Sequence, residues 1–406
     1  TPKAVYPSVV GVIDKDGGDA AMEDADKAGD GAKKKNRDLY IGNTSLMYRR
    51  DHMEVEPALK DGLVHDWDLI EGLWDHALRE RLMVDPAEHP MLLTEPAFNT
   101  RELREKVVEL MFEKNSCPAL FLGKSPVLTS FSCGRATSLV VDSGGGSTTV
   151  CAVHDGYALG KSIVRSPLGG ELLTTCLGHL LEEKGTAIRP RYSIKRTEKG
   201  PGEFEVTDVA HPHTTESFKK FMTGQVIADM KESLCRASEN TFDEEANANI
   251  PTVSYELPDG QEVHLGPERF KIPEVLFQPS VLASFPGIGE VKGYDGGDLR
   301  GLTYMSMESV NKCDVDVRKE LYSGILLTGG NTIFPNVKER LERELAEQAP
   351  GGARVKVITS TSSAERRYSA WIGGSILASL GSFQQMWMSK AEYEEHGAAL
   401  IHRKSP

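Results

Sequence analysis

The six cysteines, at positions 117, 133, 151, 176, 235 and 313, never form a Cys-x-x-Cys pair. That leaves no disulfide framework and no zinc site, and such scattered thiols suit a reducing compartment. No apolar run approaches the roughly 20 residues that span a bilayer, and no signal-peptide pattern opens the sequence. The expectation is a soluble intracellular protein with no membrane partner. Positive charge is also in deficit: 47 Lys and Arg against 60 Asp and Glu give a net charge of -13. A broad, unspecific grip on nucleic acid is therefore excluded, although a local basic patch is compatible with that total. His211 and His213 have no carboxylate or thiol at ligand spacing and read as loop residues. What remains is a chain of 406 residues, 39% apolar, long enough for two α/β domains with separate cores.

The stretch Leu139–Val150, LVVDSGGGSTTV, runs an apolar strand into a carboxylate and a triple-glycine turn, then into a second β-branched strand. Such a turn points backbone N–H groups at an anion, and glycine permits positive φ and close approach without a Cβ. Asp142 is placed to hold a phosphate-bound cation through water. A plain structural hairpin gives the same pattern. A second glycine element, ILLTGGNTIFPNVKERLEREL from Ile325, is a strand ending in Gly329 and Gly330 before a helix expected to open near Pro335. Two such crossovers in one chain favour a nucleotide cleft.

The first segment, TPKAVYPSVVGV, reads as a short apolar strand broken by prolines, and Asp14–Asp38 as a disordered insertion rich in Asp, Gly, Ala and Lys. Its basic end, Lys33–Arg37, is either a nuclear localisation signal or a solvated lysine cluster. Trp67, Ile70, Trp74 and Leu78 recur at helical spacing, MLLTEP reads as a strand, and Thr100–Lys114 as an amphipathic helix. A helix over Gly169–Glu183 precedes a second peripheral insertion between Gly185 and Met222. In the helix around Val226–Ala237, the pattern puts Val226, Met230 and Leu234 inward and leaves Lys231 and Glu232 at the boundary, facing ligand or solvent. SYELPDGQEVHLG is a hairpin turning at Asp-Gly. Pro286–Gly301 is a glycine-rich loop, and the C-terminal block carries what reads as a Gly-Gly helix entry.

DSGGGSTTV, ELPDGQ, CDVDVRKELYSGILLTGG and above all AWIGGSILASLGSFQQMWMSKAEYEEHG with the terminal HRK resemble actin over nearly the whole chain. The resemblance implies the α/β fold shared by actin, heat-shock ATPases and sugar kinases, two lobes around a cleft holding ATP or ADP with Mg or Ca. It implies a first large subdomain from 1–11, 58–132 and 369–406, with 12–57 as its small peripheral partner. The second large subdomain comes from 133–168 and 283–368, with 169–282 as the small one. Asp142, Ser143, Gly144, Gly145 and Gly146 are similar to the family's second phosphate loop, the first of which would lie ahead of Thr1. Gly329, Gly330 and Ile333 match the segment beside ribose and phosphates. Lys231 and Glu232 match an adenosine-contacting pair, and Arg367 a basic residue against adenine.

Three positions depart from the family pattern. Gly145 stands where actin has a second aspartate, and Ser125 and Thr149 stand where actin has the glutamine and histidine that place the attacking water. Orienting groups of that kind are worth several powers of ten in rate, so the departures imply a nucleotide binder without catalytic residues. The family's subunit-contacting loop falls at Asp14–Asp38 and its strand-bridging loop at Pro286–Gly301, so the surfaces that propagate a filament look altered. GNTSLMYRRDHMEVEP and SSAERRYSAWIGGSILASL look most like the nuclear actin-related proteins of histone-acetyltransferase and nucleosome-remodelling assemblies. That implies a nuclear, non-polymerising subunit, paired with actin on a helix of a remodelling motor or scaffold, contacting histones, nucleosomes or, indirectly, DNA. Phe131, Gly156, Tyr157, Leu377, Leu380 and Met386 match the helix-receiving cleft. A conventional filament-forming actin-like ATPase and a small-molecule kinase of the same fold are the alternatives.

Overall fold

The structure, a computed structural model, describes residues 2–15, 37–201 and 203–406. Its larger sheet is organised by Ser138–Ser143, a run of apolar and β-branched residues with both faces covered. Ser138–Ser143 pairs in parallel with Ile325–Thr328 and antiparallel with Thr148–His154. Continuous apolar character, without alternation, is what a parallel strand buried on both faces requires. Val357–Ile358 extends the sheet beyond Ile325–Thr328, and Tyr157–Ala158 and Val164–Ser166 both pair with Thr148–His154. Helices Gly170–Glu183, Leu302–Asn311 and Val337–Gln348 contribute to the core beneath it, where Leu139, Val141, Leu177, Met305 and Leu341 pack together.

The other lobe is built on a smaller sheet, Met91–Glu95 parallel to Ala119–Lys124, with Met388–Ser389 on the far side. Helix Arg101–Glu109, capped by the Thr100 hydroxyl and continued by a wide turn to Lys114, buries Val107, Val108, Met111 and Phe112 against it. Helix Trp67–Asp75 turns Leu69, Ile70 and Leu73 towards a third cluster containing Val10 and Val12. Val9–Asp14 pairs with Arg37–Tyr40 and Glu54–Pro57 in a separate three-stranded sheet.

The two lobes join where helix Ser125–Ser132 crosses helix Ser369–Ala378. Gly373 and Gly374 lie in the middle of the second helix, not at its entry. A Cβ on Gly373 would overlap the Leu128 carbonyl oxygen, so glycine is what lets the two backbones touch.

Other expectations are revised in the same way. The stretch Gly185–Met222 is not one irregular insertion: it holds an antiparallel hairpin, Ile194–Gly200 with Glu203–Asp208, and the first turns of helix Glu216–Leu234. The expected disordered insertion lies outside the described residues from 16 to 36, while Asp14 and Asp38 are strand residues. Of the basic cluster, Arg37 is held in its strand beside Asp14 and Glu56, each at 3.4 Å. The Asp259-Gly260 hairpin forms as read, with Gly260 at φ +86. Among the described residues no helix is long and apolar enough to cross a membrane, and no group of His, Cys, Asp and Glu is arranged to hold a metal.

Candidate functional site

A cleft of about 1260 Å³ opens between the lobes, at the carboxyl ends of the larger sheet's parallel strands. The turn after Ser138–Ser143 forms its floor, contributing Asp142, Gly144, Gly146, Ser147 and Thr149. Ser143 and Thr148 close the turn through their hydroxyls at 2.8 Å, and Thr148 donates on to the Leu168 carbonyl at 2.6 Å. The Gly144 and Gly145 carbonyls accept from the N–H groups of Gly170 and Glu171 at 3.0 and 2.8 Å. These are the first amides of helix Gly170–Glu183, so the helix N-terminus takes up the turn's carbonyls. The Gly146 N–H meets no protein acceptor among the described residues, and no atom comes within 4 Å of the place a Cβ would take.

Glycine is needed here for a reason other than the one expected. None of Gly144, Gly145 and Gly146 has positive φ. The steric demand falls on neighbours: a Cβ on Gly169 would overlap the Gly145 carbonyl, and one on Gly329, at φ +95, would overlap the Ser143 carbonyl. The triple glycine keeps the cleft side of the turn bare, while Gly169 and Gly329 let two other segments press against its back.

Asp142, the penultimate residue of strand Ser138–Ser143, is half-buried and lines the cleft. Burial pushes its carboxyl up to about 6, and among the described residues no hydrogen bond or neighbouring cation counters it. A carboxylate so placed gains by meeting a cation, directly or through water.

The remaining candidates form a second group behind the turn and do not line that cavity. Lys231 is fully inside, not at the helix boundary: its Nζ donates to the Gly170 carbonyl at 2.7 Å and Thr174 Oγ1 at 2.9 Å, and burial lowers its pKa. Glu232 is exposed and pairs with Arg367 at 2.5 Å, which links helix Glu216–Leu234 to helix Ser363–Arg367. Gly330 and Ile333 bound a short 3-10 turn, and Gly330 has open space around it. Helix Val337–Gln348 starts two residues beyond Pro335, after Asn336 in the left-handed region at φ 71, so its N-terminus does not follow the glycines directly. Asn331, which the sequence did not single out, ties the groups together. Its Nδ2 donates to Ser143 Oγ at 3.1 Å and the Gly144 carbonyl at 2.8 Å.

Ser125 and Thr149 both line the cleft. The Ser125 hydroxyl is engaged within the first lobe, with the Glu95 carbonyl at 2.9 Å and Thr94 Oγ1 at 3.0 Å. Neither side chain has the reach or the basicity to align and deprotonate a water.

The lobes are fastened across the cleft at two places. At the mouth, segment 49–55 meets segment 213–217: His52 N–H donates to the His213 carbonyl at 2.9 Å, Arg49 to Thr214 at 3.1 Å, and Val55 N–H to Ser217 at 2.9 Å. Thr215, which caps helix Glu216–Leu234, also donates to the Met53 carbonyl at 2.5 Å. Elsewhere Arg165 donates to the Asp61 carbonyl at 2.7 Å and lies between the rings of Phe98 and Tyr294, 3.3 and 4.2 Å from their centroids.

The six groove candidates surround the lobe junction. Phe131 sits in helix Ser125–Ser132, on which both Tyr157–Ala158 and Ser369–Ala378 pack. Leu377 and Phe131 are half-buried, Gly156 is exposed at φ +82, and Tyr157, Leu380 and Met386 are 59%, 40% and 43% exposed. Ile376, at 41%, joins them.

A glycine-turned phosphate-type hairpin at the floor of a two-lobed α/β cleft is the architecture of the actin fold. The sequence profile of the actin family matches residues 1–406, and the chain belongs to that family. It is similar to actin-related protein 4 of Oryza sativa, 56% identical over 420 residues in both subspecies indica and japonica. That alignment covers 100% of this chain and 94% of each relative. Actin-related protein 4 of Arabidopsis thaliana is 56% identical over 417 residues, with the same coverage.

Proposed function

We propose that the chain is a nuclear, non-polymerising actin-related subunit that holds ATP or ADP with Mg or Ca as part of its structure. It pairs with actin on a helical segment of a chromatin-remodelling motor or a histone-acetyltransferase scaffold, and the assembly engages histones or nucleosomes. The observation that carries this reading is a cleft furnished for holding a nucleotide but not for attacking it. Gly146 offers an N–H that meets no acceptor among the described residues, and Asp142 offers a desolvated carboxylate in want of a cation. The Ser125 hydroxyl, where a water-orienting group would stand, is bound to Glu95. The residues that line the cleft fit the phosphate end of the cofactor: Gly144–Ser147 would take phosphate oxygens and Asp142 the hydrated cation, while Glu232 and Arg367, paired with each other outside the cavity, would have to part to meet the adenosine end. The bound nucleotide supplies the negative charge that draws both lobes onto the turn. The clasp at 49–55 and 213–217 then slows its escape.

The assembly role is supported by the exposed apolar set around Tyr157, which suits the i, i+3, i+4, i+7 face of an amphipathic helix. Tyr157→Asp tests it. An unpaired charge placed in a contact that becomes desolvated costs on the order of a few kcal/mol, more than tenfold in affinity. Because Tyr157 is mostly exposed, the isolated variant should fold and keep its nucleotide. Loss of co-purification with actin and the remodeller's helical segment, at unchanged nucleotide content, is expected. Normal co-purification would place the partner elsewhere, and loss of nucleotide as well would show Tyr157 to be a packing residue.

A further inference from the structure

A second cavity, of about 260 Å³, lies where the parallel strands Met91–Glu95 and Ala119–Lys124 end beside the C-terminal turn. Asn99, Arg101, Arg104, Lys124 and His402 line it, with Glu95 the only acidic side chain among the described residues there. Most of these groups are already committed. Glu95 Oε2 accepts from Arg104 Nε at 3.1 Å and from Asn99 Nδ2 at 2.9 Å, and Oε1 lies 2.8 Å from Arg104 Nε as an ion pair. Arg104 also reaches His402 Nδ1 at 3.1 Å and the Ser405 carbonyl, and His402 Nε2 meets Glu105 at 2.8 Å.

Lys124 is the exception. It is half-buried and makes no side-chain hydrogen bond or ion pair among the described residues. Burial first, and then the neighbouring Arg104, lower its pKa, against an opposing pull from the Glu95 carboxylate. Arg101, exposed at the rim, adds a second cation without a partner among the described residues. An ammonium held out of water beside another cation is costly, and a bound anion relieves that cost. The cavity is smaller than ordinary ligand pockets of about 300–1,000 Å³, which leaves room for one compact oxyanion and its waters but not for a nucleotide.

We propose that this cavity binds a small tetrahedral oxyanion of the phosphate class, gripped by Lys124 and Arg101 over a floor fixed by Arg104 and Asn99. The proposal does not depend on the nucleotide reading. Dissolved phosphate supplies that chemistry, and the wall residues Pro96 and Ala97 separate the cavity from the main cleft, which they also line.

The test is residue-resolved acylation of lysines in the full chain, read by mass spectrometry, in millimolar inorganic phosphate against chloride at equal ionic strength. Phosphate should slow acylation of Lys124 several-fold and leave the exposed Lys60 unchanged, and Arg101→Gln should weaken that protection several-fold. Thermal melts give a second readout, since phosphate should raise the melting temperature of the wild type above the chloride control but not that of Lys124→Gln. Equal protection in chloride, no protection, or undiminished stabilisation of Lys124→Gln would overturn the assignment. If Lys124→Gln fails to fold, Arg101→Gln decides alone, because its side chain is at the surface.

Discussion

Replacing Asp142 by Asn should strengthen the empty protein and ruin the loaded one. In the native state burial raises this carboxyl from the ordinary Asp range to about 6. A raised carboxylate pKa means that folding favours the neutral form. The group's contribution is therefore intact below about pH 4 and is lost as pH rises through about 6, where the native protein must carry an unpaired charge. A gap of about two units, at about 1.4 kcal/mol each, sets the penalty at about 3 kcal/mol near neutrality. Asparagine has nearly the same shape and removes that charge. Urea unfolding at a series of pH values, without nucleotide or divalent cation, should show Asp142→Asn more stable by up to about 3 kcal/mol at pH 7, the advantage vanishing towards pH 4. With Mg and ATP added the order should reverse, because only the wild type gains. A variant that is the weaker protein at pH 7 without ligand would show that the Asp142 carboxylate is not desolvated in the native state.

Two further expectations rest on single contacts. Gly373→Ala drives a Cβ into the Leu128 carbonyl at the lobe junction; overpacking of about 1–3 kcal/mol or more is expected, visible as a lowered denaturation midpoint, and an unchanged midpoint would show that the helices can separate freely. Ser217→Ala removes the acceptor for Val55 N–H, and Arg49→Ala the bond to Thr214; each should speed release of a fluorescent ATP analogue several-fold while leaving its equilibrium contacts at the hairpin intact, and unaltered release would show that the clasp does not gate the cleft.

The sequence disclosed what is local and concealed what is distant. The hairpin around Asp142 was legible because strand, carboxylate and glycines are consecutive, and helix Arg101–Glu109 because its apolar spacing and Thr100 cap lie within one turn of each other. The purpose of the glycines was not legible. Whether Gly144–Gly146 need positive φ depends on a turn geometry that composition does not encode, and the demand at Gly169 comes from a segment more than twenty residues away. Lys231 looked like a boundary residue because its helix has no sharp apolar stripe; only the tertiary fold supplies the Gly170 carbonyl that draws its ammonium inside. The clasp joins segments about 160 residues apart through short polar side chains, which carry no periodicity to read. The strand-to-helix reading at Gly329 and Gly330 failed in detail because Pro335 and Asn336 delay the helix to Val337.

The most direct test of the central claim is the fate of the nucleotide itself. The protein is purified without added nucleotide, denatured, and its small molecules separated and quantified; a second portion is loaded with ATP and Mg and followed for phosphate release. A cleft that holds but does not hydrolyse predicts close to one nucleotide per chain, ATP largely intact, and phosphate release far below that of a working ATPase. Steady turnover at such an enzyme's rate, or a purified protein that neither carries nor takes up nucleotide, would contradict it.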